Sequence, residues 1–150
     1  MVELRNDSDS EVNLHRYNGK KARHFKTYVT AHIPEEKPDV VIIQCGGNDL
    51  PTNSSVMEIA EQIIETGIVC RELGVSTIMI SSVLPRSDFY LQLKRQELNK
   101  LLESLCEING FVFIPNKGMA LSEHIDFDGV HLNDAGSTLL QNTFVEYLNG

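Results

Sequence analysis

Residues 40–49 read Val40-Val41-Ile42-Ile43-Gln44-Cys45-Gly46-Gly47-Asn48-Asp49. Four consecutive apolar, mostly β-branched residues predict a strand buried on both faces, as in a parallel sheet. Two glycines then open a tight turn, and the turn ends on an amide and a carboxylate. Read alone, such a stretch is a strand-to-helix turn whose Asn and Asp cap backbone amides. A second stretch gives it another meaning. Residues 126–133 read Asp126-Phe127-Asp128-Gly129-Val130-His131-Leu132-Asn133, with a carboxylate three residues before an imidazole. Asn133 and Asp134 are capping residues, so this stretch leads into a helix. An amide donor together with an Asp/His couple supplies most of what a serine needs for acyl transfer.

Outward from these stretches the chain alternates strand and helix. Val12–Tyr17 alternates and reads as a strand closed by the turn pair Asn18-Gly19. A helix is expected over 21–31, ahead of Pro34 and Pro38. Ser55 and its neighbours offer an N-cap for a helix with apolar residues at helical spacing from Val56 to Val69, ending near Gly74. Ser76–Val83 reads as a strand and Tyr90–Ile108 as a long amphipathic helix. Phe111–Ile114 is a short strand, and a final helix follows Asp134. This order predicts a parallel sheet covered by helices on both faces. Ligands in such sheets bind beyond the carboxyl ends of the strands.

Bulk composition bounds the reading. The 150 residues are 41% hydrophobic and 23% charged, enough for one domain with a single core. A formal charge of −8 argues against a nucleic-acid partner, which needs clustered Lys and Arg. Cys45, Cys70 and Cys106 have no paired spacing, so buried thiols in a reducing, cytoplasmic setting are expected, without a zinc site or other cofactor. No segment reads as a signal peptide or a membrane span. Asp126, Asp128, His131 and His124 form an alternative metal-ligating set. His15, His24 and His32 read as structural or solvated.

The two stretches, with their spacing, resemble the SGNH, or GDSL-type, hydrolase family. Residues 40–50 look like its third sequence block, Asp128 to Asn133 like its fifth, and Asn18-Gly19 falls where the second-block glycine belongs. Gly19 precedes Asn48 by 29 residues and Asn48 precedes Asp128 by 80, close to the family pattern. Ser81 to Arg86 also resembles family sequence at the end of the fourth strand. The resemblance implies a three-layer, flavodoxin-like α/β/α sandwich over residues 1–150 and serine-type ester hydrolysis. It makes His131 the base, Asp128 its orienter, and Asn48 and Gly19 the oxyanion donors.

The departure is the first block, which in the family carries the nucleophile in Gly-Asp-Ser at the end of a central strand. Only eighteen residues precede Gly19. Ser8 and Ser10 are the weak candidates there. The strand at Val12 follows them too soon for a parallel crossover, which takes about a dozen residues or more. Val2–Arg5 and Val12–Tyr17 are therefore expected as arms of an antiparallel hairpin. The expectations are an N-terminally truncated domain with its first strand missing or replaced, and an ester hydrolase that acts on a small ester if its serine lies upstream or comes from another segment, but is an inactive pseudoenzyme as the chain stands. Alternatively the fold serves as a non-catalytic interaction module. An N-terminal segment or a homo-oligomer would complete the sheet.

Overall fold

The computed structural model of the chain describes residues 2–6, 11–15, 17 and 19–150. Five strands, β1 (Val2–Asn6), β2 (Glu11–His15), β3 (Val40–Ile43), β4 (Thr77–Ser81) and β5 (Val112–Ile114), form one sheet in the order β2-β1-β3-β4-β5. The helices are α1 (Phe25–Glu36), α2 (Val56–Glu72), α3 (Phe89–Asn109), the single turn α4 (Leu121–His124) and α5 (Asp134–Asn149). Strands β3, β4 and β5 are parallel. β3 is buried along its whole length, as four apolar residues facing two covered sides require.

The two faces of the sheet carry separate cores. Val41 and Ile43 of β3, with Ile78 and Ile80 of β4, pack with Phe25, Val29, Ile63, Leu98 and Leu102 from α1, α2 and α3. Val40, Ile42, Met79 and Ile114 point the other way and meet Leu140 and Phe144 of α5. Alternation along β3 thus sends successive side chains to opposite helical layers. The result is the expected three-layer sandwich.

The place beside β3 is filled by β1, and the sheet is therefore mixed. β1 pairs antiparallel with β2 on one side and with β3 on the other, Val2 opposite both His15 and Ile43. β2 consequently runs with β3. Its carboxyl end, leading to Gly19, emerges at the same edge as Gly46 after β3 and Ser82 after β4. β1 runs the other way.

Among the boundaries that differ from expectation, those of α1 and α5 have clear causes. α1 continues through Pro34 to Glu36 and stops at Lys37, whose left-handed backbone lets its N–H bond the Ile33 carbonyl at 2.8 Å. Pro34 lies in the last turn, where its exposed ring and missing N–H disturb little. At α5 the cap is Asn133 and Asp134 is the first helical residue; Asn133 Oδ1 accepts the Gly136 N–H at 2.8 Å.

Candidate active site

After β3 the chain turns at Gly46, buried with φ 106°, and enters a 3-10 turn over Gly47–Asp49. A Cβ at Gly46 would lie 3.1 Å from Val83 Cγ2 and 3.2 Å from Ile63 Cδ1, so both conformation and space favour glycine here. The turn gives the two polar residues different tasks. Asp49 is 2% exposed, and its Oδ2 accepts the Ala22 N–H at 2.9 Å, tying the third-block turn to the segment after Gly19. Burial pushes the Asp49 carboxyl up despite that hydrogen bond and the nearby Lys21, Arg23 and His24 charges. Asn48 Nδ2 donates to the Lys20 carbonyl at 3.0 Å. An amide nitrogen has two hydrogens, so a fixed Asn48 keeps one for another acceptor.

The second stretch forms a loop held at its base. Asp126 N donates to the His131 carbonyl at 2.7 Å, Asn133 N donates to the His124 carbonyl at 3.0 Å, and Ile125 bridges Leu132. Within that loop Asp128 Oδ1 accepts the N–H groups of Val130 and His131, both at 2.9 Å. Asp128 Oδ2 stands 2.5 Å from His131 Nδ1. The carboxylate thus holds the ring by Nδ1, with Nε2 on the opposite side of the ring. The His131 side chain is 73% exposed, so this pair orients the ring and contributes little to stability. Those hydrogen bonds, His131's side chain first, hold the Asp128 carboxyl well below the usual carboxylate range. A depressed carboxyl contributes stability above its unfolded value of about 3.9 and loses it only as pH falls through the folded value. The Asp128 carboxyl carbon, followed by NMR, is therefore expected to keep its ionised shift at pH values where the other exposed carboxyls have protonated. Titration alongside them would show that the Asp128–His131 bond does not hold in solution.

Gly19, Asn48 and His131 line one cavity of about 790 Å³, together with Cys45, Gly46, Gly47, Arg86 and the apolar side chains of Leu132, Leu140, Phe144 and Leu148. Arg86 is a contributor that the sequence reading quoted without assigning a role. It is half-buried, its Nη1 donates to the Gly47 carbonyl at 2.8 Å, and its guanidinium feels Asp128. One cation is therefore bonded to the first motif and lies within the field of the second. Its sequence signal was the position directly after Pro85 at the end of a strand. Cys45 is buried, and burial pushes its thiol up to about 12, away from the thiolate that a nucleophile needs. Among the described residues Ser137, in the first turn of α5, is the serine lining the cavity. Ser8 and Ser10 lie outside the described residues. Their flanking neighbours Asn6 and Glu11 pair with each other at the end of β1 and β2 away from Val2, His15 and Ile43.

The alternative metal set around this loop is not assembled. His124 Nδ1 is occupied by the Ala120 N–H at 2.8 Å, and Asp126 Oδ1 by the Phe127 N–H at 2.9 Å. Among the described residues one group of three possible ligands does converge, His15, His32 and Glu36, so two histidines read as structural or solvated lie in a cluster.

With this geometry in place, the comparison with known families is direct. The family model described as GDSL-like Lipase/Acylhydrolase family matches residues 3–139. The chain belongs to that family. Its fold is that of solved family structures. A GDSL-like lipase from Bacteroides thetaiotaomicron VPI-5482 superposes with a TM-score of 0.76 at 19% identity, covering 87% of this chain and 72% of that one. A carbohydrate esterase family 3 protein from Talaromyces cellulolyticus gives 0.78 at 17%, covering 88% and 68%. A catalytic mutant of an acetylxylan esterase from Geobacillus stearothermophilus gives 0.70 at 17%, covering 85% and 67%. Over 91 residues the chain is also 31% identical to a thiamine-phosphate synthase of Staphylococcus carnosus (strain TM300), a match taking in 59% of this chain and 37% of that protein. The chain thus spans little more than a third of that curated relative. Among the described residues, no helix is long and apolar enough to cross a membrane.

Proposed function

We propose that this domain binds small acyl esters in the cavity and that it turns them over weakly or not at all. An ester carbonyl oxygen would sit between the free Asn48 N–H and the Gly19 amide, with His131 Nε2 facing the reacting carbon and Asp128 fixing the ring. Preorganised donors of this kind stabilise the oxyanion of acyl transfer, each worth about 10²–10³ in rate. The apolar wall of Leu140, Phe144 and Leu148 suits the acyl chain.

The observation carrying the weak-turnover part is the direction of β1. The first-block serine of the family resemblance would follow a strand that runs with β3, so that it reaches the same edge as Asn48. Here the strand beside β3 runs antiparallel to it. β1 therefore ends at the opposite edge, about 15 Å along the sheet for a five-residue strand. If β1 delivers no nucleophile to His131, binding and oxyanion stabilisation are what remain, about 10³–10⁴ over water.

Three measurements on the intact chain test this. Short-chain p-nitrophenyl esters are expected to show no burst and turnover near the solvent background. A serine-directed phosphonate is expected to leave the chain unmodified. A non-hydrolysable ketone analogue of the ester is expected to shift the Asn48 side-chain and His131 ring resonances. Stoichiometric phosphonate labelling at Ser8, Ser10 or Ser137, abolished by His131→Ala, would make the domain a working serine esterase instead. An analogue that leaves both resonances unmoved would remove the binding assignment.

A further inference from the structure

Beside the cavity, β2 and α1 bring together three side chains that the ester site does not use. His15 ends β2, and His32 and Glu36 stand one turn apart on the same face of α1. His15 Nε2 lies 2.9 Å from Glu36 Oε1 and 3.1 Å from Oε2. The His15 and His32 rings stack, with centroids 3.8 Å apart and planes 23° apart. One ligand atom from each of the three lies within 4.8 Å of the other two, and all three residues are half-buried. On the far side of the cluster, the Tyr17 hydroxyl is hydrogen-bonded to His32 Nε2, and the Tyr17 ring stacks on Tyr28 and lines the cavity.

An ion pair explains only part of this. His15 with Glu36 would satisfy each other, but a second imidazole laid face to face on the first gains nothing from that pair. Once both rings are protonated it adds a like charge at contact distance. Two neutral imidazoles and a carboxylate are instead the His₂Glu donor set of zinc. Zn–N and Zn–O bonds of about 2.0–2.2 Å put tetrahedral ligand atoms about 3.3–3.5 Å apart. The three atoms start within 4.8 Å of one another, so closing to that spacing asks for a shift of about 1–1.5 Å. Three protein ligands would leave a fourth position for water, and the half-buried setting limits competing solvent.

We propose that His15, His32 and Glu36 bind one divalent transition-metal ion, best matched by Zn²⁺, which clips β2 to α1 beside the ester cavity. Through the Tyr17–His32 hydrogen bond, the ion would also fix the wall on which Tyr17 stands. The site does not depend on the ester-binding reading, because none of its ligands lines the cavity.

The test uses the intact chain after chelator treatment. Titration with Co²⁺ is expected to give visible bands of a four- or five-coordinate nitrogen/oxygen site, saturating at one equivalent and displaced by Zn²⁺. Ligand binding to the folded state raises stability. Zn²⁺ at about a hundredfold excess over its Kd should therefore raise the melting temperature by roughly 5–10 °C. In the unmutated chain, Zn²⁺ should move the His15 and His32 ring resonances and leave those of His24 and His124 in place. Glu36→Gln and His32→Ala should each weaken binding more than about 100-fold, beyond what loss of an outer partner costs, while His131→Ala should leave it unchanged. No saturable binding by the unmutated chain would overturn the proposal. So would resonance shifts confined to His124 and His131, or loss of binding in His131→Ala alone. The resonance experiment decides the matter even if a ligand variant fails to fold.

Discussion

Gly136→Ala is expected to lower unfolding free energy by about 2–3 kcal/mol and to release the loop that carries Asp128 and His131. The direction is not obvious, since Gly136 lies in the first turn of α5 and alanine there gains about 1 kcal/mol in helix propensity. Contact decides it. A Cβ at Gly136 would fall 2.2 Å from the His124 carbonyl oxygen and 3.0 Å from Leu132 Cδ2. That oxygen is backbone and cannot rotate away. It also accepts the Asn133 N–H at 3.0 Å, one of the bonds closing the loop. Relief requires α5 to move off the His124–Ile125 segment, which breaks this bond and strains the Ile125–Leu132 bridge. Gly19→Ala is the contrasting case. Its φ of 72° is unfavourable for alanine, but no atom lies within 4 Å, so the cost is the backbone preference, about 1–2 kcal/mol. Urea denaturation of the two variants, with the His131 ring resonance as local probe, checks both statements. A Gly136→Ala chain as stable as the parent would mean that α5 is not seated against His124 as described.

What could be read from the sequence follows the range of each interaction. β3 and its turn were legible because the apolar run and the glycines lie side by side. The loop before α5 was legible because Asp128 and His131 are three residues apart, and its hydrogen bonds are nearly all local. The hairpin of β1 and β2 was also readable, since too few residues separate them for a parallel crossover. That β1 would lie against β3 was only one of several ways to fill the gap. It depends on backbone pairing between Val2–Arg5 and Val40–Ile43, some forty residues apart, which periodicity does not encode. The same holds for His15 and His32. One alternates within a strand and the other lies on a helix, and each is unremarkable until β2 and α1 are packed together. Pro34 concealed Glu36 by suggesting that the helix ends before it.

An antiparallel β1 beside β3 costs the sheet little. Pairing on both sides of β3 removes an exposed apolar edge, the hazard an incomplete sheet would carry. An antiparallel neighbour supplies those hydrogen bonds as well as a parallel one. Only the edge at which the strand ends distinguishes the two, and that edge decides whether a serine following it can reach His131. The sheet is thus fully paired around β3 whichever way its neighbour runs.

The second large effect is expected at Asp49, where alanine and asparagine should part company. Asp49→Ala removes the acceptor of the buried Ala22 N–H and leaves a small void, which together should cost about 2–3 kcal/mol. It also releases the Gly19–Ala22 segment from the third-block turn, so Asn48 loses its register with Lys20. Asp49→Asn keeps an oxygen for Ala22 and removes the buried charge. The sign of the pH dependence follows from the raised carboxyl of the folded state. A group raised on folding contributes most below its unfolded value of about 3.9, and that contribution is lost as pH rises through the folded value. At neutral pH the native Asp49 is therefore held in place at some cost to stability, and Asp49→Asn should be as stable as the parent or more so. Lowering the pH should shift the balance toward the parent, since the parent gains a neutral carboxyl there and the amide gains nothing. Chemical denaturation of parent and Asp49→Asn across the acid range reads this difference directly. A gap that widened in the opposite direction, with the parent favoured as pH rises, would mean that Lys21, Arg23 and His24 outweigh burial and that Asp49 acts as an ion-pair partner. The turn would then be held by charge, and the orientation of Asn48 would become sensitive to salt.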